Sequence, residues 1–211
     1  MGTFLDVGLT GGICCGKSTT LRMFATLDCF TLDADSIYHR LIRNGQPLYN
    51  RIFDWLGEKI LDGRREIDRV ILGEIVFNDK KALEKLNSIA HPMVVAEQDR
   101  LKEEIRSGND GGIIITDAAL MIEAGTYKRY DKVVVVICNI ENQIRRLKLR
   151  ARLDDDEARK RISAQMPATE KAGYADYTIH NDESLEGLKR KIEDVYDQLV
   201  LDLRAKEKQS V

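Results

Sequence analysis

The sequence predicts an α/β protein with a parallel sheet, and three observations predict it. Five short apolar runs are spread along the 211 residues. Charged stretches with helical spacing separate them, which argues for a parallel sheet joined by helices. Two of the runs, Ile113 to Thr116 and Lys132 to Cys138, are continuous and β-branched, as strands buried on both faces read.

The first run, Leu5 to Leu9, leads into the stretch GLTGGICCGKSTT at residues 8–20. Gly11 to Ser18 satisfies G-x-x-x-x-G-K-[ST], placed between a predicted strand and a predicted helix as that motif requires. Backbone N–H groups of such a loop point at phosphate oxygens, and the helix N-terminus adds partial positive charge. The phosphate-binding loop thus comprises Gly11, Gly12, Ile13, Cys14, Cys15, Gly16, Lys17, Ser18 and Thr19. Lys17 supplies a cation for the β and γ phosphates, and Ser18 offers a hydroxyl to Mg²⁺. The alternative is a chance match in an ordinary strand–turn–helix.

Cys14 and Cys15 fill free positions of the motif. Adjacent cysteines rarely bridge. A helix N-terminus lowers a thiol's pKa, but small side chains suited to a tight loop explain the pair as well. If φ is positive at Cys14, glycine would cost less there. The four cysteines, Cys14, Cys15, Cys29 and Cys138, match neither a zinc site nor a disulfide framework and are read as free thiols.

The second run, Phe30 to Asp33, ends in TLDADSIYHR, with Asp33 and Asp35 at the carboxyl end of a strand, where open parallel sheets bind ligands. If the chain is still extended there, both carboxylates share one face. The alternative is that Asp35 caps a helix beginning at Ser36.

About eighty residues separate the second and third runs, more than one crossover needs. A helical subdomain fills the gap, divided by turns at Gly45-Gln46-Pro47 and Asp62-Gly63. Pro92 biases His91 away from the α region, so a helix is expected to end there. The fifth run, Tyr177 to Ile179, precedes an amphipathic closing helix. Leu185, Leu188, Ile192, Val195, Leu199 and Leu203 line one face of it, and its charged tail is expected to fray.

Between the fourth and fifth runs, RRLKLRAR at residues 145–152 precedes LDDDEARKRI. Arg146 and Arg150 are i,i+4 neighbours on a helical face. Their alternative reading is a solvated basic face paired with Asp154, Asp155 and Asp156. His39 and His180 carry no signal.

The formal net charge of −2 provides no broad basic field for nucleic acid. No apolar stretch is long enough to span a membrane. The N-terminus lacks the features of a signal peptide, which points to the cytoplasm.

The loop GLTGGI–GKST followed by DAD resembles the dephospho-CoA kinase family. So does the run from Glu66 to Val94, nearly residue for residue with that family's substrate domain, and so do KRISAQM at 160–166 and DYTIHN at 176–181. The resemblance covers nearly the whole chain. It implies a three-layer P-loop fold with a five-stranded parallel sheet, a helical substrate-binding insertion and a helical lid. It further implies one kinase domain, with core 1–43, 108–145 and 166–211, a helical substrate subdomain of about 44–107 and a lid of about 146–165. The implied reaction is phosphorylation of the ribose 3′-hydroxyl of dephospho-CoA by ATP with Mg²⁺.

On the matching positions, Asp35 is the general base, and Asp33 assists near substrate and Mg²⁺. Lys17 and Arg150 serve catalysis, with Arg150 the first choice for the γ-phosphate. Arg146 and Asn181 contact the nucleotide. His91, Asp117 and Leu120 contact substrate. The expected partners are dephospho-CoA and ATP, with no nucleic acid or membrane, in a monomer or weak homo-oligomer.

Two positions depart from the family pattern. Cys14 and Cys15 stand where the family has glycine and serine. Ala119 replaces a proline in DAALMIE, so that loop is expected to be less rigid.

A nucleoside or nucleotide kinase, a nucleotide-dependent switch and a thiol redox enzyme are the competing classes. The Glu66–Val94 run argues against the first. The absence of N-K-x-D argues against a guanine-nucleotide switch, and the absence of C-x-x-C against the last.

Overall fold

Each predicted apolar run is a strand in the computed structural model, which describes residues 2–209. They are β1 (Phe4–Gly11), β2 (Phe30–Asp33), β3 (Gly112–Asp117), β4 (Lys132–Ile137) and β5 (Tyr177–His180), in one sheet ordered β2-β3-β1-β4-β5. β1 pairs in parallel with β3, from Phe4 opposite Gly112 to Leu9 opposite Asp117. It also pairs with β4, from Val7 opposite Lys132 to Gly11 opposite Val136. β5 adds to β4, from Val134 opposite Tyr177 to Ile137 opposite His180.

Val133 through Ile137 are all buried, so β4 is covered on both faces, as its unbroken apolar run requires. Each fully buried aliphatic side chain, such as Val134 or Ile179, contributes roughly 1.5–3 kcal/mol.

The helices are α1 (Lys17–Ala25), α2 (Ala34–Leu41), α3 (Pro47–Leu56), α4 (Arg69–Asn78), α5 (Lys80–Gly108), α6 (Ile140–Ala151), α7 (Asp155–Ser163), α8 (Ala168–Lys171) and α9 (Leu185–Gln209). Leu21 and Phe24 of α1 join Leu188, Ile192, Val195 and Leu199 of α9 in the main core. Leu185 does not share that burial, being 65% exposed. The expected fraying is also not seen over the described tail. α9 runs to Gln209, and Lys206 ties it down by donating to the carbonyl of Phe4 at 3.0 Å and to Asp131 at 2.6 Å. Met1, Ser210 and Val211, at the ends of the expected core, lie outside the described residues.

The chain divides into two compact units, residues 1–32 with 105–211, and Asp33–Glu104. The second begins earlier than the expected position 44. It is helical, as its turns predict. Pro47 opens α3 at its first turn, where a missing N–H costs nothing. Asp68 caps α4, accepting from Val70 N–H at 2.8 Å. The expected helix end at His91 is not observed, because α5 continues through Pro92. Burial of Ala82, Leu86 and Ala90 before the proline, and of Gln98 and Lys102 after it, favours continuity over the local bias of one residue. His91 is exposed in the helix interior, neither a cap nor a buried group.

No helix among the described residues is long and apolar enough to cross a membrane.

Candidate active site

The carboxyl edge of the sheet gathers the ends of β1, β3, β4 and β5, and with them Gly11, Asp117, Cys138 and Asn181. β1 opens directly into the predicted phosphate loop. Two glycines there are obligatory. A Cβ on Gly11 would lie 2.1 Å from the carbonyl oxygen of Val136, so β1 could not approach β4. Gly16 has φ 101° and caps α1; a Cβ there would strike Asn181 Nδ2 at 2.2 Å.

α1 starts without a side-chain cap and without an acid in its first turn. The N–H groups of Thr19 and Thr20 turn back to the Gly16 carbonyl, both at 3.0 Å. Those of Lys17 and Ser18 find no acceptor among the described residues. Such a helix start is built for an anion. The Lys17 side chain makes no hydrogen bond or ion pair there, and the exposed Ser18 hydroxyl makes no hydrogen bond. Both are available to a ligand.

The loop is held from behind. Asn181 Nδ2 donates to the Cys15 carbonyl at 2.8 Å, and the Asn181 N–H donates to the Ile137 carbonyl at 2.8 Å. Arg146 Nη2 donates to the Asn181 carbonyl at 2.9 Å, and its Nη1 to the Cys14 carbonyl at 3.4 Å. Each of these two residues, expected to contact nucleotide, places one donor on the loop backbone, Asn181 on Cys15 and Arg146 on Cys14. Ile13 and Cys14 pack against Ile144 and Leu147 of α6 and Ala158 of α7. The expected lid start at residue 146 therefore falls inside α6, which is joined to the loop by these contacts.

Arg150 lies further along α6, exposed and without a hydrogen bond or ion pair among the described residues. Of the acids expected to neutralise this basic face, Asp155 pairs with Lys148, not with either arginine.

Cys14 has φ 57°, the positive value at which glycine would cost less. A side chain in that left-handed region costs roughly 1–2 kcal/mol. All four cysteines are free thiols. Cys15 is fully buried, and Cys138 Sγ lies 3.4 Å from its sulfur. The Cys138 S–H donates to that sulfur and holds the Cys15 thiol below its ordinary range. The same contact pushes Cys138 up.

β3 ends at Asp117, 7% exposed, followed by the loop in which alanine replaces proline. The Ala119 carbonyl accepts from Thr10 Oγ1 at 3.1 Å and from Lys171 Nζ at 2.7 Å. Lys171, fully buried, also pairs with Glu123 at 2.8 Å. Leu120, between these anchors, is 43% exposed. Sequence reasoning missed Lys171, since nothing local marks a lysine of α8 as the partner of a loop nearly fifty residues earlier.

In the second unit the acidic pair differs from expectation. The helix starts at Ala34, not Ser36, and Asp33 is its cap, not Asp35. Asp33 Oδ1 accepts from the N–H of Asp35 at 3.0 Å and of Ser36 at 3.3 Å, and its Oδ2 accepts from Ser36 Oγ at 2.7 Å. The chain is thus helical, not extended, at Asp35. That carboxylate is exposed and makes no hydrogen bond or ion pair among the described residues. One turn on, at the i+4 position, sits His39. Burial, reinforced by Arg69, lowers its pKa, and Asp35 and Asp33 oppose the shift. An i,i+4 pairing with Asp35 was the signal available for His39.

The family model described as dephospho-CoA kinase matches residues 5–187. A dephospho-CoA kinase of Aquifex aeolicus is 37% identical over 93% of this chain and 98% of its own. A crystal structure from Thermus thermophilus is 30% identical with a TM-score of 0.76, covering 93% of this chain and 98% of its own. A dephospho-CoA kinase from Campylobacter jejuni is 28% identical with a TM-score of 0.68, over the same shares of the two chains.

Proposed function

The chain belongs to the dephospho-CoA kinase family, and from that premise we propose that it transfers the γ-phosphoryl group of ATP to the ribose 3′-hydroxyl of dephospho-CoA. The products are coenzyme A and ADP. One observation carries the reading: a loop with uncommitted N–H groups and an unpaired lysine, braced from behind by Asn181 and Arg146.

Phosphoryl transfer is mainly positioning and charge stabilisation. The N–H groups of Lys17 and Ser18 cradle the phosphates, and the Lys17 ammonium follows the charge that builds during transfer. Asp35 accepts the proton of the attacking hydroxyl, since it is the carboxylate of the pair without a structural partner. Asp33 orients it through the helix cap. Arg150, a cation without a partner among the described residues, reaches the transferred group, while Arg146 positions the loop. Asn181 acts on nucleotide through the loop as well.

The donors fit Mg²⁺, which favours a few oxygen ligands alongside substrate phosphates. The free Ser18 hydroxyl and the Asp117 carboxylate at the end of β3 would hold it. When bound, the ion neutralises charge on the phosphates.

Leu120 and His91 are exposed and available to substrate. The cytoplasm, where thiols stay reduced, fits the free cysteines. A monomer or weak homo-oligomer is the assembly we assign.

The test is ADP release from Mg-ATP with dephospho-CoA, compared against nucleosides and nucleoside monophosphates. Turnover on dephospho-CoA alone is expected. Turnover on a nucleotide instead would overturn the substrate assignment and leave the phosphate loop standing.

A further inference from the structure

Cys15 and Cys138 are separated by 123 positions in sequence, yet their sulfurs lie 3.4 Å apart. The proposed mechanism uses neither thiol. Cys15 sits inside the phosphate loop, and Cys138 directly follows β4. The parallel register of β1 and β4, closing at Gly11 opposite Val136, brings them together. We infer that Cys15 and Cys138 form a thiol-oxidation site, closing to a reversible disulfide that weakens nucleotide binding, with a hydroperoxide as oxidant. This rests on the reading of the loop as the ATP site.

The chemistry balances. The Cys15 thiolate attacks one peroxide oxygen, the O–O bond breaks, and Cys15 becomes a sulfenic acid as the other oxygen leaves as water. The Cys138 sulfur then attacks the Cys15 sulfur. The S–O bond breaks, the S–S bond forms, and the Cys138 proton leaves in a second water. Each sulfur gives one electron to the peroxide. A dithiol returns both electrons and both protons.

The roles follow from the contact. The Cys138 S–H donates to Cys15, so the more thiolate-like sulfur is the one in the loop. Access requires the loop to open, because Cys15 is fully buried. Hydrogen peroxide is small enough for a brief opening. The left-handed Cys14, next along the chain, makes this the loop's least relaxed point.

Bonded sulfurs lie about 2.05 Å apart, so more than about 1 Å must be closed. Both sulfurs sit on held backbone: the Cys15 carbonyl accepts from Asn181 Nδ2 at 2.8 Å and the Cys15 N–H donates to the Gly12 carbonyl, and Cys138 is flanked in the same way. On one side the Ile137 carbonyl accepts from Asn181, on the other the Asn139 N–H donates to Asp182 at 2.7 Å, and the Cys138 carbonyl accepts from Gln143. Closing the bridge therefore strains the backbone at Cys15, and with it the adjoining N–H groups that receive phosphate.

The experiment treats reduced protein with hydrogen peroxide, with and without Mg-ATP. Peptide mass spectrometry then maps the bridge, and calorimetry measures ATP affinity. A Cys15–Cys138 bridge should form, ATP affinity should fall at least about tenfold as several cradle hydrogen bonds weaken, and dithiothreitol should restore it. Bound Mg-ATP should protect. Cys138→Ser should bind ATP like the untreated parent and, with no second sulfur to attack Cys15, form no bridge in peroxide. If the serine variant fails to fold, Cys138→Ala serves, and the bridge in the parent protein decides independently. Untreated protein that does not bind ATP would overturn the reading of the loop, and the switch with it. Untreated protein that binds ATP but forms no such bridge, or keeps its affinity once bridged, would overturn the switch alone.

Discussion

Asn181 holds the phosphate loop in place through Cys15: its side-chain amide donates to the Cys15 carbonyl at 2.8 Å, and both residues are buried. The same amide sits where a Cβ on Gly16 would fall. A glycine and an asparagine 165 positions apart therefore depend on each other.

Replacing Asn181 with Ala leaves the buried Cys15 carbonyl without its donor. The expected loss is about 1–3 kcal/mol of stability. Its distinguishing sign is a raised KM for ATP with the KM for dephospho-CoA little changed, read from steady-state kinetics. A direct role in adenine recognition would instead change the preference among ATP, GTP and CTP.

Lys171 and Glu123 should respond unequally to removal. Lys171 is fully buried, whereas the Glu123 side chain is 24% exposed. Glu123→Ala strands a buried ammonium against a neutral carbonyl and should cost roughly 3–5 kcal/mol. Lys171→Met keeps the volume and leaves a carboxylate that reaches water, so it should cost less. Urea midpoints at constant m give the order. The reverse order would contradict the account of this pair.

The two arginines of α6 should also separate. Arg150→Ala should leave the melting temperature unchanged and lower kcat by about a hundredfold, the scale of losing one donor to developing charge. Arg146→Ala should lower the melting temperature, because it removes the brace on the Cys14 and Asn181 carbonyls. Thermal unfolding alongside kinetics distinguishes the two.

Acidification should destabilise the fold in two steps. His39 lies below its ordinary 6.5 because burial disfavours its charged form. The unfolded chain therefore binds the proton first, and stability declines as pH falls from about 6.5. Burial pushes Asp182 up, but the Asn139 N–H, the Asn142 amide and Arg146 outweigh it and hold it below 3.8. Its contribution is present above that pH and is lost as pH falls through the lower folded value. His39→Gln should flatten the first step and leave the second, as measured by urea unfolding from pH 7 to 3.

The strands were legible because burial on both faces demands unbroken apolar runs, and Val133–Ile137 supplied one. The phosphate loop was legible because its motif fixes a backbone shape. The helix start at Ala34 was not. The string DADS offers two capping carboxylates, and the last residue of β2 decides between them. Pro92 misled because a local backbone bias was weighed without the buried residues on either side of it. Lys171 beneath Ala119, and Cys138 beside Cys15, arise from strand register and loop packing across long separations. No short pattern announces either.

In the proposed reaction the phosphoryl group moves from the loop to a ribose hydroxyl with Asp35 as base. The most direct measurement is phosphorus NMR of the product from Mg-ATP and dephospho-CoA, run with the parent protein and with Asp35→Asn. A new 3′-phosphomonoester is expected with the parent, and about a hundredfold slower formation in the variant with ATP affinity intact. A phosphate at another position, or an Asn variant as fast as the parent, would contradict it.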